Sequence, residues 1–184
     1  MRAARRRLVG AALTLILAAV VPASASAEPS VEYAVKANYL YKLGPFIDWP
    51  PRAFPSAGSA FNVCILGEDP FGSALDEAVR GQTVNGHPVV VRRIKAVPTD
   101  GRCQVLYLGR SHAEPAGEVL RMLQGQPVLT VTDAGQGVFG GMVHFLLQNG
   151  RVRFALNVAA AEASGLQISS KLQSLAVSVQ RAGG

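Results

Sequence analysis

The chain has 184 residues, 49% hydrophobic and 16% charged, with two cysteines. It is too apolar for a disordered chain and too poor in cysteine for a small disulfide scaffold, and its length suits one domain. The formal charge of +6 points toward an acidic partner such as nucleic acid, but the excess is concentrated at the N-terminus.

Arg2, Arg5, Arg6 and Arg7 precede an apolar run from Leu8 to Val21. Ala23-Ser24-Ala25 and Ala25-Ser26-Ala27 are small-x-small cleavage sites, so residues 1–27 read as an export signal cut near Ala25 or Ala27. The run is short for a membrane span of about 20 residues, which weighs against an uncleaved anchor. The context of Arg5-Arg6 does not fit a twin-arginine signal, and no cysteine at the cleavage site offers lipid attachment. Removing residues 1–27 takes four of the 18 basic residues and none of the 12 acidic ones, leaving 14 against 12, or +2. That balance has no footprint for nucleic acid. Residues 28–184 carry no second apolar run long enough to span a bilayer, so a soluble domain outside the cytoplasm is expected, without direct membrane insertion.

Ser30 can cap a helix from Val31 to Ile47. Its expected inner face is Val35, Tyr39, the stem of Lys42 and Phe46, with Leu40 and Leu43 beside it. Gly44-Pro45 should weaken its last turn, and Trp49-Pro50-Pro51 stops it. Phe61 to Leu66 reads as a strand. Asp69 can be the N-cap of a helix that begins at Pro70, carries Phe71, Leu75 and Val79, and ends at Gly81. Asn85-Gly86 marks a tight turn before a strand over Val89 to Ile94, with Arg92, Arg93 and Lys95 outward or at its end. Val105 to Leu108 is another strand. Ser111 to Glu114 resembles a capping box for a helix ending near Gly125, with Glu114 before Pro115 as an alternative cap. Val128 to Val131 is the next strand. Met142 to Leu147, Asn149-Gly150 and Arg151 to Val158 read as a β-hairpin. Ala159 to Ala163 is a helical turn, and Ile168 to Val179 a closing amphipathic helix. Strands alternating with helices predict a single-domain α/β sandwich: a mainly parallel or mixed sheet flanked by helices, then a C-terminal β-hairpin and closing helix.

Cys64 and Cys103 both lie in or beside strand-like runs. In an oxidising space an even count suggests a disulfide, which would close a loop of about 40 residues and contribute about 4 kcal/mol in the chain-entropy model. Two buried free thiols are the alternative. The spacing excludes a CxxC redox pair and a cysteine metal site.

Several motifs carry little chemistry. Gly135 to Gly140 matches GxGxxG after a strand, but a hairpin follows where a dinucleotide site needs a helix N-terminus. Gly109-Arg110-Ser111-His112-Ala113 lacks the last glycine of a nucleophile elbow, and His112 stands too close in sequence to serve Ser111 as base. His87, His112 and His144 are isolated, without metal-ligand spacing, so neither metal nor cofactor is expected. Arg92, Arg93, Lys95, Arg102 and Arg110 read as a solvated strand edge rather than a basic patch. Arg151 and Arg153 face one side of their strand, and Val152 and Phe154 the other. Ile168, Leu172, Leu175 and Val179 fit one core-facing stripe, while Leu166 and Ser169-Ser170 lie off it and could form a shallow docking surface.

Eight stretches, taken together, resemble the YfiR-like family of periplasmic proteins. They are Lys36-Ala37-Asn38-Tyr39-Leu40-Tyr41, Phe46-Ile47-Asp48-Trp49-Pro50, Gly67 to Gly72, Cys103-Gln104-Val105-Leu106-Tyr107, Leu129 to Asp133, Gly140 to Phe145, Arg153 to Asn157 and Gly165 to Leu172. They run in order from about residue 33 to 177. The resemblance implies an exported α/β binding protein without catalytic residues. Such a protein restrains a membrane-bound diguanylate cyclase by binding the cyclase's periplasmic sensor domain, often as a homodimer. Cys64 and Cys103 match a disulfide pair of the family, and a second pair found in some members has no counterpart here.

Three readings follow. The first is a periplasmic inhibitory subunit that docks through Phe154, Asn157, Leu166, Ile168, Ser169 and Leu172. The second is a periplasmic small-ligand sensor with Tyr39, Tyr41 and Trp49 as pocket walls, residues that core packing explains better. The third is an exported hydrolase, for which no set of nucleophile, base and oxyanion donors can be named.

Overall fold

A computed structural model describes residues 30–97, 102–111 and 115–183. The expected export signal lies outside the described residues, as do His112 and Glu114 of the capping box. The described chain is an α/β structure. Helix α1 (Val31–Lys42) leads through a 3-10 turn, Gly44–Phe46, into the two-residue strand β1 (Ile47–Asp48). Then come β2 (Phe61–Leu66), α2 (Ser73–Val79), β3 (Thr83–Val84), β4 (His87–Ile94), β5 (Val105–Leu108), α3 (Ala116–Met122) and β6 (Leu129–Asp133). The hairpin β7 (Val143–Gln148) and β8 (Arg151–Asn157) follows, then α4 (Val158–Ala163), β9 (Gln167–Ile168), α5 (Ser170–Gln173) and β10 (Ser178–Gln180).

Eight strands form one mixed sheet in the order β10-β8-β7-β6-β5-β2-β4-β3. Its centre, β4 to β7, is parallel, and β7-β8 is the antiparallel hairpin. The short strands β1 and β9 pair separately, Ile47 opposite Ile168.

The central strands are buried on both faces, so they read as unbroken apolar runs, and the period of two sorts their side chains. Phe61, Val63 and Ile65 of β2, Val105 and Tyr107 of β5, and Leu129 and Val131 of β6 face α1 and α2. Cys64, Leu66, Leu106 and Leu108 face the other way, against Val119 and Leu123 of α3. The Cys64–Cys103 disulfide sits in this second core, with both residues buried and their Cα atoms 5.9 Å apart. It fastens β2 to the segment that enters β5. Gly109 serves the close approach of the two following loops, since a Cβ there would lie 2.0 Å from the Glu68 carbonyl oxygen.

Several boundaries differ from expectation. Helix α1 stops at Lys42, and its inner face is Lys36, Ala37, Leu40 and Tyr41 rather than the stripe of Val35, Tyr39 and Lys42. Asp69 does not cap α2. Its Oδ1 accepts from the Phe71 and Gly72 amides, at 2.8 and 3.3 Å, in the turn before the helix starts. The closing helix over Ile168 to Val179 is a single turn, Ser170–Gln173, followed by strand β10. Ser169 Oγ caps that turn at the Leu172 amide. Beyond it Val177 and Val179 favour extended backbone, and Val177 donates to the Phe154 carbonyl at 2.9 Å, the first bond of a parallel pairing to β8. Hydrogen bonding to the sheet thus outweighs an apolar period that also fits a helix. The Asn85-Gly86 turn is as expected, with both residues at positive φ.

Exchanging both cysteines for serine removes a cross-link spanning 39 residues. The chain-entropy model gives a loss of about 4 kcal/mol, less any relief of strain, to be read from denaturant midpoints of the native protein and the double variant.

Candidate functional site

The parallel strands end at one rim of the sheet, where α/β folds place their sites. There β6 closes on Asp133, in phase with Leu129 and Val131 and so directed into the core facing α1. Its carboxylate meets Lys36 of α1, with Nζ 2.7 Å from each carboxylate oxygen. Both residues are 0% exposed. Lys36 also donates to Glu32 one turn earlier and lies 4.7 Å above the Tyr33 ring centroid. Tyr107 on β5, opposite Val131 of β6, donates to Asp133 Oδ2 at 3.0 Å, and the Gly135 amide donates to Oδ1 at 2.8 Å. A buried charge survives only when paired and hydrogen-bonded, and here both partners are.

The electrostatics follow from this enclosure. Burial disfavours the Lys36 ammonium, yet its bonds to Asp133 and Glu32 and their charges outweigh burial and raise its pKa above the ordinary 10.5. Burial first, then the neighbouring Asp133 charge, pushes the Tyr107 phenol well up, so it stays a donor. A permanently charged lysine and a neutral phenol holding one carboxylate form an anchor for α1, not an acid–base pair. Sequence reasoning missed it, although both residues were in phase with core positions. Lys36 follows Tyr33 by three and precedes Leu40 by four, and Asp133 continues the alternation of β6.

The second feature is a surface one. With Lys36, Ala37 and Leu40 turned inward, Val31, Val35 and Lys42 face outward and Tyr39 is half-buried at the boundary. Val31 is 83% exposed and Val35 41%. They overhang the β8 end of the sheet and, with Leu147, Val152 and Arg153, line a groove that continues past Phe46 to Leu175. Its two larger compartments are about 560 and 530 Å³. Arg151, Arg153, Lys42 and Lys171 stand around it, exposed, and none of them is ion-paired among the described residues. Glu32, also on the lining, is engaged by Lys36.

Of the residues expected to dock a partner, Phe154, Leu166, Ile168 and Leu172 are buried core residues, and their side chains therefore offer little outer surface. Asn157 and Ser169 are half-buried and act as caps, Asn157 Oδ1 accepting from the Ala160 amide and Ser169 Oγ from that of Leu172. Phe154 and Leu172 nevertheless form part of the groove floor. Leu175, placed by the helical stripe in the core, is 57% exposed on the groove rim. The three aromatics expected to wall a pocket are not brought round one space. Tyr39 lies on Phe145 and Phe154, Tyr41 is buried, and Trp49 packs on Phe54 and Phe61, three strands across the sheet from Phe145. His144 bonds Thr132 Oγ1 at 3.0 Å, and Arg93 is held by Asp69 and Asp76. No cluster of three or more metal-ligating side chains occurs among the described residues, and no helix among them is long and apolar enough to cross a membrane.

A family model described as YfiR/HmsC-like matches residues 33–177, a span that includes the anchor and, apart from Val31 and Glu32, the groove lining.

Lys36→Met leaves the Asp133 carboxylate buried without its cation and is expected to cost about 3–5 kcal/mol, most of which Asp133→Leu in the same chain should restore. Denaturant titrations of the two single variants and the double variant measure this. Because the Lys36 pKa is raised, the stabilisation from its pairing is fully present below 10.5 and fades only as pH climbs through the folded-state value.

Proposed function

Since the chain belongs to the YfiR/HmsC-like family, whose members are periplasmic regulators in cyclic-di-GMP signalling, we propose that it is the inhibitory partner of an inner-membrane diguanylate cyclase. It acts by gripping the cyclase's periplasmic sensor domain. The observation that carries this reading is the outward apolar stripe of α1. A helix already anchored through one face has left Val31, Val35 and half-buried Tyr39 in solvent beside a groove, and such uncovered apolar surface marks a binding site. The Cys64–Cys103 disulfide suits the oxidising periplasm. We place the docking surface on this groove, with Phe154 and Leu172 in its floor and Leu175 on its rim.

Binding inhibits only if it favours the sensor's inactive state. Each 1.4 kcal/mol of preference shifts the equilibrium about tenfold, so firm repression requires several kcal/mol of differential contact. A small-ligand sensor is the second reading. It has less support, because the three aromatics proposed as pocket walls are dispersed.

Deleting the gene is expected to raise intracellular cyclic-di-GMP and biofilm formation, with both returning to normal when the exported protein is supplied in trans. Unchanged cyclic-di-GMP in a strain that encodes a membrane cyclase beside this gene would refute the proposal.

A further inference from the structure

We infer that the segment gripped by this protein is an extended stretch of the partner that alternates apolar and acidic residues and adds to the open edge of β8. The inference rests on the regulatory reading above and specifies its interface. Strand β10 pairs with β8 only over Ala155 to Asn157, and Val177 bonds the Phe154 carbonyl just before that. The neighbour of β8 on its other side is β7, which pairs along its whole length. The first residues of β8, Arg151 to Arg153, therefore have one side with no strand against it among the described residues. Backbone groups two residues apart in a strand point the same way. The Phe154 carbonyl points toward β10, so the N–H and C=O of Val152 point out of the same edge, a donor and an acceptor presented to an incoming strand.

The side chains around this edge define the chemistry of the occupant. On one face of β8, Val152 looks toward the overhanging Val31, Val35 and Tyr39. Arg151 and Arg153 leave β8 by its alternation on the other face, yet both are exposed, border the groove at its open edge and carry no ion pair among the described residues. A strand laid beside Val152 sends alternate side chains to these two faces. Apolar residues would fill the groove and carboxylates would meet the arginines. The dimensions agree: Val31 to Tyr39 spans about 12 Å of helix, the length of about four residues of strand. Lys42 and Lys171 extend the cationic rim toward Leu175, so the groove is charge-complementary to an acidic segment and repels a basic one.

The test uses the full exported protein in cells, with a photo-crosslinking residue at Val35 or Leu175 in the groove, or at Val90, which is 42% exposed on β4 near the opposite edge. Val35 and Leu175 are expected to capture the same segment of a membrane protein, and mass spectrometry of the adduct should show apolar and acidic residues in alternation. Arg153→Glu should lower the yield about tenfold, Arg153→Gln should lower it less, and lysine at the captured acidic position should restore it in Arg153→Glu. The inference is overturned by absence of capture from Val35 and Leu175, a helical or basic segment, a second copy of this chain as the captured species, or an undiminished yield in Arg153→Glu. Capture of a cyclase sensor from Val90 alone would overturn it while leaving the regulatory reading intact.

Discussion

A lysine and an aspartate sealed inside an apolar core determine how the first helix lies. Removing both charges from water costs several kcal/mol each, and only close pairing with further hydrogen bonds offsets that cost. Lys36 and Asp133 meet the condition through two 2.7 Å contacts, the Tyr107 hydroxyl and the Gly135 amide. The consequence is rotational. A helix that turns Lys36, Ala37, Leu40 and Tyr41 inward places Val35 on the opposite side, and the charged pair sets the roll of α1 about its axis. Ala37 and Leu40 follow Lys36 into the core, Val31 and Val35 are left outside, and Tyr39 lies half-buried between them and the sheet.

That roll links the fold to its work. An amphipathic helix on a sheet normally buries its most apolar stripe. Here part of the apolar surface is withheld from the core and set beside the half-covered start of β8. The hairpin β7-β8 supplies the floor, the single turn of α5 with Leu175 closes one end, and cations without an ion pair among the described residues surround the opening. The disulfide lies in the other core, under α3, where it stiffens β2 and β5 without touching the groove. The proposed inhibition by grip would draw on such a division between a rigid body and one partly uncovered surface.

The α/β class, the parallel centre, the C-terminal hairpin, the Asn85-Gly86 turn and the cysteine pairing were legible in the sequence because each rests on local pattern. Period-two apolar runs, Asn-Gly turns and two cysteines, one on a strand and one just before another, leave few alternatives. The orientation of α1 was not legible. Its inward and outward stripes are both apolar by residue type, and a rule that keeps charges outside discards the stripe containing Lys36, whose partner lies 97 residues away. The end of the chain misled for a related reason. Leu172, Leu175 and Val179 fit a helical period, but Ser178 to Gln180 find backbone partners on β8 that no local pattern announces. Phe154, Leu166, Ile168 and Leu172 were expected on a docking surface, yet their apolar character reflects the core, with Phe154 and Leu172 reaching the groove only from beneath.

The exposed stripe of α1 is the central claim, and Val35 tests it most directly. The measurement is intracellular cyclic-di-GMP in cells whose only copy of the protein carries Val35→Asp, with its periplasmic level followed alongside. A surface substitution of this kind should alter folding stability by no more than about 0.5 kcal/mol. Normal accumulation of the protein and cyclic-di-GMP as high as in the deletion strain are therefore expected. Normal accumulation with cyclic-di-GMP held at the wild-type level would contradict it.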